Sequence, residues 1–65
     1  MTTILAMLTS GKPLIITNTT EAALRGAIND SNKPGMPVLI DYVEQTFGAI
    51  TVNVRLIMFY KVLVP

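Results

Sequence analysis

Short apolar runs alternate with polar connecting segments along this chain, and the pattern divides it into three blocks. Residues 3–8 and 14–17 are apolar at nearly every position, which is typical of short strands that are covered on both faces. Residues 9–13 between them include a glycine and a proline, which favour a turn. The first block is therefore predicted to be a β-hairpin.

Residues 19–30 carry the clearest helix signal. Asn18, Thr19 and Thr20 offer side-chain oxygens for an N-cap, and Glu21 follows Asn18 at capping-box spacing. The apolar residues that follow form one stripe at helical spacing: Ala23, Leu24, Ala27 and Ile28. The polar segment 29–35, which ends in Pro34-Gly35, should terminate this helix.

The third block is predicted to be a long β-hairpin, with one strand at 37–44, a turn at 45–48 and a return strand at 49–64. The odd positions of the return strand begin polar and become mixed after Arg55. Every even position is apolar, a period-two pattern typical of a strand: Ile50, Val52, Val54, Leu56, Met58, Tyr60, Val62 and Val64.

The length of this return strand conflicts with the size of the chain. Residues 50–64 alone, fifteen residues at about 3.3 Å each, span about 50 Å, whereas a compact chain of this length has a diameter of about 28 Å. The strand must bend, divide near residues 56–58, or run across a neighbouring subunit.

We therefore expect one small β-rich α+β domain over residues 1–65, in the order β-β-α-β-β with its last strand bent or split. A bent strand would suit a barrel-like sheet. The order of elements is similar to that of Sm-like and SH3-like barrels, but none of their signature residues can be matched, so no functional residue is carried over.

Composition adds an expectation about association. Of the 65 residues, 51% are hydrophobic and 14% are charged, against about 25% charged in ordinary domains. Chains this short are commonly stabilised by disulfides, metals or partner subunits. The sequence has no cysteine and no histidine, so we expect neither a metal nor another cofactor, and we predict a homo-oligomer.

The odd face of the return strand supplies the candidate interface. Ile57, Phe59 and Leu63 place large apolar groups where earlier odd positions are polar, and Tyr60 is a candidate core or interface aromatic. These four residues are the predicted interface.

A weaker candidate for ligand binding lies on the same strand, at Asn53, Arg55, Phe59 and Lys61. Cations beside an aromatic ring can hold a nucleotide, an RNA base or a small anionic ligand. The alternative is a half-exposed strand whose cations prevent aggregation at the sheet edge.

No catalytic constellation is recognisable. Without histidine or cysteine the common nucleophile–base pairs are missing. Asp41 and Glu44 would point to opposite faces of a strand. Ser10-Gly11-Lys12 resembles the end of a phosphate loop, but Ala6 stands where the first glycine belongs. We expect a protein that is not an enzyme.

The net charge and the apolar runs restrict which partners and which location we expect. A net charge of +1 argues against a nucleic-acid partner. The apolar run at 50–64 is too short for a membrane span and contains Arg55 and Lys61. The run at 1–8 has no basic segment before it, so we expect no signal peptide and an intracellular protein.

Three functions fit these expectations. The first is a non-enzymatic homo-oligomer that binds a protein or a small anionic ligand at subunit junctions, as phage-encoded inhibitors and sequestering proteins of this size do. The second is a structural component of a virion or shell. The third is a small RNA- or DNA-binding barrel, which the charge favours least.

Overall fold

A computed structural model describes residues 2–65; Met1, which begins the run considered as a signal peptide, lies outside them. The described residues form one antiparallel sheet of five strands and one helix. In chain order the elements are β1 (Thr3–Leu8), β2 (Pro13–Ile16), α1 (Glu21–Asp30), β3 (Leu39–Glu44), β4 (Gly48–Asn53), a 3₁₀ segment (Val54–Leu56) and β5 (Ile57–Val64). The order of strands in the sheet is β4-β3-β2-β1-β5.

The first hairpin is as the sequence predicts. β1 and β2 pair in a regular register that places Ile4 opposite Ile16 and Ala6 opposite Leu14. Gly11 has a φ of +89° in the connecting turn, a conformation that glycine adopts without steric cost. The turn is therefore set by local sequence.

The predicted helix is also present, but its cap differs from the expected one. Thr20 is the N-cap, and its Oγ1 accepts a hydrogen bond from Ala23 N at 3.2 Å. The Oδ1 of Asn18 instead accepts from Val43 N at 2.9 Å, and Glu21 pairs with Arg25 one turn later. The capping box between Asn18 and Glu21 is therefore wrong, because Asn18 joins the loop to β3 instead.

The long return strand divides into two strands that lie at opposite edges of the sheet. β4 pairs with β3, and β5 pairs with β1. The 3₁₀ segment between them begins where Asn53 Oδ1 accepts from Arg55 N at 3.1 Å. It is held at its end by a bond from Thr9 N to Leu56 O at 2.8 Å. The observed order is therefore ββαβββ, and both halves of the predicted strand pair within the same chain.

This connection forces the sheet to curl. Four residue steps from Asn53 to Ile57 reach at most about 14 Å, whereas the edges of a flat five-stranded sheet are about 19 Å apart. The sheet nevertheless remains open, since β4 and β5 each pair on one side only within the described residues. The barrel-like closure suggested by the sequence is not observed.

The core lies on the inner face of the sheet, where even-numbered residues of β1 to β4 meet the helix. Its largest fully buried side chains are Ile4, Ile16, Leu24 and Val54. The molecule measures 31 × 23 × 20 Å, and its accessible surface of 4186 Å² is close to the roughly 4,100 Å² expected for a compact chain of this mass. β5 therefore does not project from the molecule as an arm.

The division of the return strand corrects the predicted alternation. Ile57, expected on the odd outer face, is 9% exposed and belongs to the core. Leu56 and Met58, expected in the core, are 48% and 60% exposed. The 3₁₀ segment rotates the chain so that Ile57 faces the core opposite Leu8, and the bulge at Met58 then returns Phe59 to the outer face.

Candidate interaction surfaces

The side of the sheet opposite α1, here called the outer face, is largely apolar across its three neighbouring strands β2, β1 and β5. Leu5 is in register with Ile15 on one side and Lys61 on the other, and Met7 lies between Pro13 and Phe59. Directly opposite residues point to the same face of a sheet. The outer face is therefore formed by Leu5, Met7, Pro13, Ile15, Phe59 and Lys61.

β5 exposes the largest apolar groups beside this face. Phe59 is 49% exposed and Leu63 is 45% exposed. The strand is irregular, with register shifts beside Leu8 and beside Thr3 that place Met58 and Leu63 at bulges. Since β5 is also an edge strand, these side chains are accessible both from the outer face and from the side of the sheet.

Three of the four predicted interface residues have accessible surface on β5. Phe59 and Leu63 are exposed, and Tyr60 is half-buried against the core. The hydroxyl of Tyr60 accepts a hydrogen bond from Arg25 Nε at 3.1 Å, and this contact raises the pKa of Arg25. Ile57 is the exception, since it is buried in the core.

The structure does not place the four predicted ligand-binding residues on one face of one strand. Asn53 ends β4 and Arg55 lies in the 3₁₀ segment, whereas Phe59 and Lys61 lie on β5. The carbonyl oxygen of the Asn53 side chain is already engaged by Arg55 N. Phe59 and Lys61 share the outer face through their pairing with Met7 and Leu5. Ligand binding by these four residues stays a prediction.

The two carboxylates considered for acid–base chemistry do point apart. Glu44 is 3% exposed, and its oxygens accept hydrogen bonds from the backbone N–H groups of Ile15, Thr46 and Phe47. The bond from Ile15 is the main reason why the pKa of Glu44 is lowered. Asp41 is exposed and accepts from Thr51 Oγ1 at 2.7 Å. Glu44 therefore organises the backbone.

The edge formed by β4 borders an apolar cavity of about 310 Å³, here called the edge pocket. It is lined by residues 50–53 of β4, by Leu8 and Leu14 of the first hairpin, and by Leu56. The curl of the sheet creates this pocket, because it brings the ends of β1 and β2 towards β4. The sequence alone did not predict it, since it depends on how the 3₁₀ segment crosses the end of the sheet.

Among residues 2–65, no three acidic side chains come together as a metal-ion site would require. In the same part of the chain, the helix is neither long enough nor apolar enough to cross a membrane.

Comparisons with models of protein families, with curated proteins and with solved structures found no match to this chain.

Proposed function

We propose that this protein is a non-enzymatic homo-oligomer that binds through surfaces formed where its subunits meet. The observation that carries the proposal is the outer face. β1 and β2 are apolar on both sides, but α1 packs only on the inner side, where Leu24 joins the core. A sheet with an apolar face needs a second layer to cover it.

A second copy of the chain is the occupant that the charges favour. Of the six residues that form the outer face, Lys61 on β5 is the one charged residue and the other five are uncharged. The net charge of +1 gives little repulsion between copies. A two-fold contact between identical faces would bury the apolar rows and leave the Lys61 ammonium at the rim, where its stem can cover apolar surface.

Within this proposal, Phe59 and Leu63 are the main contact residues and Tyr60 lies at the border. Large aromatic groups dominate the energetics of such contacts. A protein partner or a small anionic ligand would then bind beside Lys61, close to the junction of the subunits. Arg55 could extend this site only if the second copy brought the 3₁₀ segment near it.

The test is the molar mass in solution, measured by size-exclusion chromatography with light scattering over a range of protein concentrations. The wild type should be larger than 7.1 kDa. Phe59→Asp should lower the mass, because an unpaired carboxylate in a desolvated contact costs several kcal/mol. Phe47→Asp is the matched control, since Phe47 is 72% exposed in the β3–β4 turn and is not one of the six residues that form the outer face.

An unchanged mass for Phe59→Asp, with an unchanged melting temperature, would refute the outer face as the contact. A wild type of 7.1 kDa at all concentrations would refute self-association itself. Circular dichroism of both variants establishes that they keep the fold.

The alternative function, a structural component of a larger assembly, is favoured by apolar groups elsewhere on the surface. Leu39 and Phe47 lie near the β4 side of the sheet and are more than half exposed. An assembly component would use such a second contact and form an open polymer whose mass rises with concentration. A closed oligomer of fixed mass would favour the binding protein.

A further inference from the structure

We infer that the outer edge of β4 pairs antiparallel with β4 of a second copy, which joins two sheets into one of ten strands. This contact uses a surface separate from the outer face, so it goes beyond the proposed function. It rests on three observations: the unprotected edge, the self-complementary sequence of the strand, and the edge pocket beside it.

The two edges of the sheet differ in how they are protected. β5 carries two bulges and Lys61, which are devices that keep edge strands from pairing with other chains. β4 has neither a charged residue nor a proline, and its register with β3 is regular over six consecutive pairs. Within residues 2–65 no strand pairs with its outer side. The outer side of β4 therefore offers backbone groups that no strand of the described residues pairs with.

The sequence of β4 selects one register for this pairing. Gly48 has a φ of +78° and so is not extended, which leaves residues 49–53 available. The midpoint of that segment is Thr51. A two-fold axis between the two Thr51 residues places Ile50 opposite the partner's Val52, and Ala49 opposite the partner's Asn53. Every residue of the segment then has a partner, and the apolar pairs lie on the inner face.

The edge pocket is an apolar surface that the second copy would cover. Ile50 and Val52 line the pocket and lie on the same face as the core. In the paired arrangement the partner's Val52 and Ile50 would extend this apolar surface across the two-fold axis, and the partner's pocket would face it. Leu56, which also lines the pocket, would lose part of its exposed surface.

Electrostatics does not oppose the contact. The charge nearest to the axis is Asp41, which lies directly opposite Thr51 on β3. The two Asp41 carboxylates would be separated by three strand spacings, about 14 Å. This distance exceeds the screening length of about 8 Å at physiological ionic strength.

Disulfide trapping tests the contact and its register, because the sequence contains no cysteine. Thr51→Cys places two thiols opposite each other at the axis, within reach of a disulfide. Ala49→Cys is the matched control, since the two Ala49 residues would be about 14 Å apart, too far for a bond. Under mild oxidation, Thr51→Cys should form a covalent dimer and Ala49→Cys should stay monomeric on a denaturing gel.

A mixture of Ala49→Cys with Asn53→Cys should form the mixed dimer. Failure of Thr51→Cys to cross-link, or equal cross-linking by Ala49→Cys alone, would overturn the inference.

A second measurement uses charge without any covalent bond. Thr51→Lys puts two like charges opposite each other, each beside its own Asp41, and should raise the dissociation constant of this contact about two- to fivefold. Asn29→Lys adds the same charge on the exposed side of α1 and should change this dissociation constant less than twofold.

If Phe59→Asp lowers the mass while both Thr51 variants behave as the controls, the outer face stands and the β4 contact is wrong. The reverse pattern would retain the β4 contact and reject the outer face.

Discussion

The carboxylate of Glu44 accepts a hydrogen bond from the backbone N–H of Ile15 at 2.8 Å, and this contact joins β3 to β2 in the middle of the sheet. Between these two strands the register gives a single pair of the described residues, Ile16 with Glu44. The other carboxylate oxygen accepts from the N–H groups of Thr46 and Phe47. One side chain therefore holds the weakest strand pairing and the β3–β4 turn together.

Glu44→Gln should destabilise the fold. The amide keeps one acceptor oxygen but replaces the other with an NH₂ group, which would face a backbone N–H donor. A buried donor left without a partner costs more than the lost bond alone. We expect a lower melting temperature and a lower midpoint of urea unfolding than in the wild type. Asp41→Asn, an exposed carboxylate on the same strand, should change either value much less, and equal losses for both variants would contradict this role of Glu44.

The same contact predicts how stability depends on pH. The backbone bonds, that from Ile15 first, lower the pKa of Glu44 in the folded protein below its ordinary value of 4.5. The stabilisation is therefore fully present above pH 4.5 and is lost as the pH falls through the lower folded pKa. The difference in urea midpoint between wild type and Glu44→Gln should be largest at pH 7 and shrink towards pH 3. A difference that is the same at both pH values would show that ionisation of Glu44 does not contribute.

The elements with strong local signals could be predicted from the sequence. The first hairpin has a turn glycine between two apolar runs, and the helix has its apolar stripe with Leu24 at the centre, so both appear where expected. The mismatch in length also showed correctly that residues 49–64 could not form one straight strand within the domain. These conclusions need only local patterns and the size of the chain.

The break was predicted near residues 56–58 but lies at Val54–Leu56, because apolar alternation continues through it and does not mark its position. Val52 and Val54 are both buried, as a continuous strand would require. The side chain of Asn53 is the local signal, since asparagine favours turns by bonding to the backbone two residues later. The edge pocket and the outer face depend on tertiary arrangement. Sequence analysis therefore selected Phe59 and Leu63 from the pattern of their own strand, but it did not place Met7 beside Phe59 or Leu14 beside Ile50 at the edge pocket.

Leu24→Ala tests how much the helix contributes to the core. Leu24 is fully buried and is the helix residue that enters the core cluster most deeply. Loss of a buried leucine side chain costs about 2–5 kcal/mol, a large share of the stability of a chain this small. Leu39→Ala is the control, because Leu39 is 61% exposed, and it should change the free energy of unfolding by less than about 0.5 kcal/mol. Urea unfolding at one protein concentration measures both, and similar losses would mean that α1 packs loosely on the sheet.

The same substitution at two glycines should change stability in opposite directions. A Cβ would meet no heavy atom within 4 Å at either Gly26 or Gly48, so steric contact decides neither case. Gly26 lies inside α1, where alanine is more favourable by about 0.5–1 kcal/mol. Gly48 has a φ of +78°, where alanine costs about 1–2 kcal/mol. Urea unfolding should therefore show Gly26→Ala more stable and Gly48→Ala less stable than the wild type. A stabilising Gly48→Ala would mean that the β3–β4 turn does not require a left-handed residue, whereas a destabilising Gly26→Ala would mean that another surface packs against that position of the helix.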